Sequence, residues 1–305
     1  MSLRPEIAKW LESRTEEIPI NSLELLRQHI DNDIISQQGE HRDAYFQDAF
    51  FVTMEDGAQR EVRAYIPYGM EAAQSRPALI FAHGGGWCLG GLPAWDRTCR
   101  QLAESTQHIV FSVDYRLAPE FKFPIPLNDY FTALRFIYHN SQRFGLDKQQ
   151  ISVAGDSAGA NLVAAACLMA REIPELHIRH QLLFYPALDS LMKGESYQKY
   201  AQGYDLTTQT MDYCWGEYLV DESERWHELV NPLMASSFTG LPAATVFACE
   251  YDPVRNDAQD YCTRLLEAEV PVNFILLEGM IHCAIHMMNI SEASLDIYKK
   301  IKLSY

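Results

Sequence analysis

From residue 45 onward the apolar positions fall into short blocks that switch between two periods. Residues 45–54 and 59–67 alternate in the strand manner about Glu55-Asp56-Gly57, the pattern of a hairpin. Beyond them, near-continuous apolar runs at 77–83, 108–115, 151–155, 181–185, 244–249 and 272–277 read as strands. Helical spacing fills 96–106, 128–142, the stretch after 155 as far as Arg171, 256–269 and 291–302. Short strands apolar on both faces and separated by helices predict an α/β fold, with a mostly parallel central sheet flanked by helices. The opening hairpin supplies an antiparallel edge.

Two segments break this alternation. Residues 21–38 carry Leu23, Leu25, Leu26, Ile30, Ile34 and Ile35 at helical spacing, with Asn21 or Ser22 as N-cap and Gly39 as stop. Residues 187–240 hold Tyr197, Tyr200, Tyr204, Tyr213, Trp215, Tyr218 and Trp226, with helical spacing around 208–220. The predicted organisation is therefore an N-terminal cap segment, 1–45, and a main domain, 46–305, with a cap insertion at about 187–240. Both would cover the C-terminal edge of the sheet, where α/β folds place ligands.

Composition narrows the function classes. A net charge of −16 over 305 residues argues against nucleic acid and anionic membrane as partners. No apolar run approaches the roughly 20 residues of a membrane span. The first twenty residues are mixed and charged rather than built around the apolar core of a leader, so a cytoplasmic protein is expected. Seven cysteines without a CxxC pair fit buried, reduced thiols, although Cys88 and Cys283 lie beside the motifs described next.

Chemistry concentrates after the strands. Gly155-Asp156-Ser157-Ala158-Gly159 stands between an apolar strand and an apolar helix, the setting of a nucleophile elbow. A serine hydroxyl needs a base, and the base needs an orienting carboxylate. Downstream of Ser157 the histidines are His177, His180, His227, His282 and His286. His282 follows the last strand and so reaches the correct sheet edge; His177 and His180 flank the start of a strand, at the wrong one. His286 could share a face with His282, but as a metal pair they lack a third ligand, so neither metal nor cofactor is expected. For the acid, Asp252 lies in the loop after strand 244–249, ahead of Pro253, with Glu250 as the alternative and more naturally a structural hydrogen-bond partner. An oxyanion hole needs convergent backbone N–H groups. Ala158 supplies one, and His83-Gly84-Gly85-Gly86-Trp87 follows a strand with no side chains to obstruct its glycines. That run lacks the spacing of a phosphate loop.

These residues carry a resemblance. His83-Gly84-Gly85-Gly86-Trp87, Asp114 to Glu120, Gly155 to Leu162, Glu250-Tyr251-Asp252-Pro253 and Ile281-His282 together resemble the hormone-sensitive-lipase family of esterases, and within it the bacterial acetyl and carboxyl esterases. The likeness runs from about residue 45 to the C-terminus. It implies an α/β-hydrolase fold with a helical cap, and Ser157, His282 and Asp252 as nucleophile, base and orienter. It also implies an oxyanion hole from the amides of Gly85, Gly86 and Ala158, and structural support from His83, Asp156, Arg116 and Glu120. The chain departs from the family at Cys283-Ala284, where Gly-Phe is frequent, and at Asn256-Asp257.

The implied activity is hydrolysis of small carboxylic esters through an acyl-enzyme. Short acyl chains are expected, because Trp87, Tyr204 and Trp215 would crowd the pocket; the contrary reading makes these aromatics the cap's own core. Other outcomes of the same residues are a binding or regulatory protein on an esterase scaffold, or a hydrolase of amides, lactones or carbohydrate acetates. The family often forms homodimers through its last strand and helix, and the composition of 272–302 allows one.

Overall fold

In the computed structural model, which describes residues 2–14, 23–39, 45–70, 75–301 and 303, the chain opens with helices α1 (Pro5–Ser13) and α2 (Leu23–Gln38). Then follow β1 (Tyr45–Thr53), β2 (Gln59–Pro67), β3 (Arg76–Ala82), α3 (Asp96–Thr106), β4 (Ile109–Val113), α4 (Ile125–His139), β5 (Leu146–Asp156), α5 (Ala158–Arg171) and β6 (His180–Phe184). A long connection holds α6 (Ser196–Lys199), α7 (Thr208–Tyr218) and two 3-10 turns, Glu222–Trp226 and Pro232–Met234. The chain then returns through β7 (Ala243–Tyr251), α8 (Arg255–Glu267), β8 (Val272–Ile281), a 3-10 turn at Ala284–His286 and α9 (Glu292–Lys299).

The eight strands form one sheet in the order β1-β2-β4-β3-β5-β6-β7-β8. Only the β1–β2 and β2–β4 pairs are antiparallel. The five later pairings are parallel. Burial explains the apolar runs: Ala78 to Ala82, Ile151, Val153 and Val246 to Cys249 have no exposed surface, because helices cover both faces of the central strands. Among the described residues, no helix is long and apolar enough to cross a membrane.

The structure differs from the sequence pattern at several edges. Helix α1, which precedes the strand alternation, has only Ile7 buried, and its other residues are half-buried or exposed. Helix α4 begins at Ile125, with Pro126 tolerated in a first turn where no amide donor is needed. Strand β5 starts early, where Leu146 pairs with Arg76 across a register shift. The N-cap expected at Asn21 or Ser22 lies outside the described residues.

Sheet register decides which loops meet. Gly155 of β5 pairs with Ala82 of β3, so the two glycine-containing turns leave the sheet side by side. Tyr251 of β7 pairs with Ile281 of β8, across a shift that begins at Cys249, so Asp252 and His282 are the next residue on each strand. His180, by contrast, opens β6 at the far edge, 1 % exposed, with Nε2 3.0 Å from the Thr245 hydroxyl.

Burial, with smaller contributions from Arg179 and His108, lowers the His180 pKa to about 4. The unfolded chain binds this proton from about 6.5 downward, and the folded chain does so only near about 4. The stabilisation is therefore complete above about 6.5 and is lost as pH falls towards the folded value. We expect urea midpoints to fall over that window, and His180→Asn to flatten the fall by up to about 1.4 kcal/mol per pH unit. Superimposable pH profiles for the two proteins would contradict the assignment.

Candidate active site

The turn at Ser157 is tight because two backbones touch across it. A Cβ on Gly159 would lie 2.1 Å from the Ala82 carbonyl oxygen and 2.4 Å from that of His83, so no other residue fits without displacing β3. Ser157 takes φ 53° and ψ −119°, a conformation rare for a residue with a side chain. Its N–H donates to Phe184 O at 2.9 Å, and its carbonyl accepts from Ala187 N at 3.3 Å, which hold the turn against β6 and the connection beyond. The hydroxyl leaves the sheet edge beside the start of α5. Ala158 is the first residue of that helix, and its N–H has no intrahelical acceptor.

Two further side chains converge there. His282 Nε2 lies 2.8 Å from Ser157 Oγ, and His282 Nδ1 lies 2.7 Å from Asp252 Oδ2. A carboxylate only accepts, so Nδ1 carries the ring hydrogen and bare Nε2 accepts from the serine hydroxyl. The Val254 N–H donates to the other carboxylate oxygen at 3.0 Å. Ser157, His282 and Asp252 are 6 %, 4 % and 0 % exposed, so the run is nearly closed to water. Low dielectric strengthens each of these contacts. The arrangement can pass a proton from the hydroxyl to the imidazole while the carboxylate steadies the ring. Glu250 is separate: its Oε2 accepts from Gly279 N at 2.8 Å and ties β7 to β8.

The glycine turn after β3 lies beside the serine. Gly85 and Gly86 have φ of 104° and 58°, and Cys88 N and Leu89 N both donate to the Gly85 carbonyl. His83 stacks on Tyr115 at 4.3 Å, and Nδ1 donates to Gly84 O at 2.7 Å; burial lowers its pKa and keeps the ring neutral. Asp156 Oδ1 accepts from Gly84 N and from Trp95 Nε1, both at 2.8 Å. Arg116 forms a bidentate pair with Asp129, and Glu120 pairs likewise with Arg27 of α2. Trp87 and Trp215 have no exposed surface, with ring centroids 4.1 Å apart, whereas Tyr204 is half-buried and stacks on Tyr251. His282 and His286 face different carboxylates, and among the described residues no group of acidic, His and Cys side chains is arranged to hold a metal ion. A surface cavity of about 480 Å³ lined by Arg171, Leu176, His177 and Leu241 lies at the opposite edge, where β6 and β7 begin.

Comparison with known proteins supplies the family. The sequence family described as having the α/β-hydrolase fold matches residues 79–286. An arylesterase of Saccharolobus solfataricus is 33 % identical over 295 residues, 92 % of either chain. An ethyl acetate hydrolase of Pseudomonas putida is 29 % identical over 301 residues, covering 96 % of this chain and 95 % of the relative. Among solved structures, a serine-to-alanine mutant of an α/β-hydrolase enzyme from the metagenome of Lake Arreo, Spain, aligns with a TM-score of 0.92 at 31 % identity, over 98 % of this chain and 96 % of that one. The chain belongs to the hormone-sensitive-lipase-like α/β-hydrolases. It is a carboxylic ester hydrolase.

The two departures from the family text have different surroundings in this hydrolase. Asn256 Oδ1 accepts from Ser196 N at 2.8 Å. Asp257 Oδ2 accepts from Leu188 N, Asp189 N and the Tyr197 hydroxyl, so the pair fastens the start of the long connection to α8. Burial raises the Asp257 pKa well above the carboxylate range. Cys283 takes φ 63°, turning the chain sharply after His282 into the 3-10 turn that carries His286. Sequence reasoning missed Trp95, Thr98 and Gln38, which pack behind the elbow; none belongs to a motif.

Gly159→Ala should cost about 3 kcal/mol or more, because the added methyl meets backbone rather than a movable side chain. Gly216→Ala, on α7, meets nothing within 4 Å. It should be neutral or stabilise by up to about 1 kcal/mol through helix propensity. Urea unfolding of both variants checks the contrast.

Proposed function

We propose that this ester hydrolase works through Ser157 as nucleophile, His282 as general base and then acid, and Asp252 as the group that orients and stabilises the imidazole. The support is the unbroken run of hydrogen bonds from Ser157 Oγ to His282 to Asp252 at 2.8 and 2.7 Å. Ser157 Oγ attacks the ester carbonyl carbon as its proton passes to His282 Nε2. The carbonyl π electrons move to oxygen, and the resulting oxyanion rests on the amides of Gly85, Gly86 and Ala158. Collapse of this intermediate breaks the C–O bond to the leaving group, which takes the proton from His282 and departs as the alcohol. Water then attacks the acyl-enzyme with His282 again as base. The second collapse releases the carboxylic acid and returns the proton to Ser157.

Residues 1–45 and the connection at about 187–240 act as a cap in this reading. Arg27 of α2 donates to the carbonyls of Cys88 and Ala118, which fastens the first segment to the loop after β3. Arg14 at the end of α1 pairs with Asp33 of α2 and Asp205 of the connection, which joins the two segments. Helix α7 lies directly against the glycine turn: a Cβ on Gly86 would be 2.5 Å from Cys214 Sγ. Burial pushes that thiol up to about 12, so it packs as a neutral wedge. Behind it Trp87 stacks on Tyr218 at 4.6 Å and meets Trp215 at a 40° tilt with centroids 4.1 Å apart, all three rings fully buried. These rings brace the wall beside the oxyanion rather than offering free surface, and bulky side chains packed so close to Gly86 favour a short acyl chain.

Ser157→Ala should lower turnover of p-nitrophenyl acetate by about 10⁴-fold or more while leaving the urea midpoint unchanged. Fluorophosphonate should label Ser157 in the wild type alone. Near-normal turnover in the alanine variant would overturn the assignment.

Rates along a series from acetyl to dodecanoyl p-nitrophenyl esters should peak at the short end. Trp215→Leu should move the peak to longer chains by opening the wall behind Gly86, and an optimum at decanoyl or beyond in the wild type would defeat the short-chain reading.

A further inference from the structure

The elbow is held from two sides by histidines of opposite tautomer. On one side is His282, with its ring hydrogen on Nδ1. On the other is His286, without exposed surface, beneath the residue that precedes Ser157. His286 Nε2 lies 3.3 Å from Asp156 Oδ2, and Nδ1 lies 3.0 Å from Thr98 Oγ1 and 3.4 Å from Gln38 Nε2. The carboxylate can only accept, so Nε2 carries the hydrogen; the Thr98 hydroxyl and the Gln38 amide then donate to bare Nδ1. The other Gln38 amide hydrogen goes to Ala94 O at 2.6 Å. The Trp95 indole stands edge-on to the His286 ring, with centroids 5.0 Å apart at 83°.

Asp156 is 1 % exposed, and both of its carboxylate oxygens are engaged: Oδ1 accepts from Gly84 N and Trp95 Nε1, and Oδ2 faces His286. A buried carboxylate oxygen without a donor is costly, so loss of the Oδ2 partner would turn the group in search of another. Any turn moves Oδ1, and with it the Gly84 amide that leads into Gly85 and Gly86. Oxyanion donors act only within about 2.7–3.1 Å of the developing charge, so small shifts of that loop reach the transition state rather than the ground state.

We propose that His286 is a positioning residue of this esterase, which fixes the Asp156 carboxylate through Nε2–H and thereby sets the Gly85–Gly86 amides over Ser157. The proposal rests on the oxyanion reading given above. Because Gln38 is the last residue of α2, the same imidazole also ties the docking of the N-terminal segment to the oxyanion loop.

The test compares His286→Leu, which removes the donor, with His286→Gln, whose amide restores an N–H near the position of Nε2. Turnover of p-nitrophenyl acetate is expressed per active site titrated with fluorophosphonate, so a loss of folded protein does not register. His286→Leu should lose about 10-fold or more in kcat, with KM within about twofold, and His286→Gln should recover most of the loss. Should the leucine variant fail to fold, Thr98→Val removes one Nδ1 donor and keeps the ring; it should lower kcat per site several-fold with KM again unchanged. Wild-type kcat per site in His286→Leu, or in Thr98→Val where leucine does not fold, overturns the proposal. So does a glutamine variant as slow as the leucine one. A wild type whose Ser157 takes no label, or an active Ser157→Ala, would instead sink the underlying nucleophile reading.

Discussion

The contact between α5 and the end of β3, where Gly159 lies against the carbonyls of Ala82 and His83, is the constraint on which the other features of this hydrolase depend. It brings the first turn of the helix against the loop that holds the three glycines. It also forces the chain at Ser157 into a positive φ, which turns the hydroxyl out of the sheet edge. A looser turn would separate the Ala158 amide from those of Gly85 and Gly86. Neighbouring hydrogen bonds hold the strained residue in place: Phe184 accepts from its N–H, and Asp156 beside it is clamped by Gly84 and Trp95. Strain of this kind persists only where the surroundings over-determine it.

The second constraint is register. Parallel strands present their C-terminal ends to one edge, but meeting there is not enough; Asp252 and His282 must leave the sheet at the same height. The pairing of Tyr251 with Ile281 does this, and the shift after Cys249 supplies the needed offset. Glu250 reinforces it through Gly279. This explains why Glu250, two residues from Asp252 and also acidic, serves β7 and β8 rather than the imidazole.

Much of this was legible in the sequence because strand runs, glycines and prolines have local causes. The central strands are apolar on both faces since helices cover both, and the Gly-x-Ser-x-Gly turn cannot be built from bulkier residues. Ser157, Asp252 and His282 each follow a strand of one sheet, which is why their meeting in a hydrogen-bonded run could be expected from the chain order. What could not be read depends on distant parts of the chain. Helix α1 is placed by a contact between the two ends of the chain, Arg4 N to Gly279 O, that no local pattern announces. The start of α4 was hidden by Pro124 and Pro126, which read as breakers although the latter suits a first turn. Gln38, the Trp95–Thr98 pair and His286 come from three separate segments that no sequence motif links. Their association exists only once α2, α3 and the turn after β8 are packed together.

That packing bears on how the two ends of the chain cooperate. Gln37 and Gln38, at the end of α2, are both buried; Gln37 O accepts from Asn289 N, and Gln38 reaches Ala94 and His286. Arg27, on the same helix, holds the Cys88 carbonyl just beyond Trp87. One helix therefore touches the glycine-containing loop after β3 at Cys88 and at Ala94 at once. Polar contacts of this kind carry geometry better than apolar ones, because each donor has few acceptable positions and each orphan left in the interior is costly. A segment attached in this way cannot drift without disturbing the loop beneath it. Docking of α2 and the geometry of the glycine turn after β3 are therefore coupled through these polar contacts.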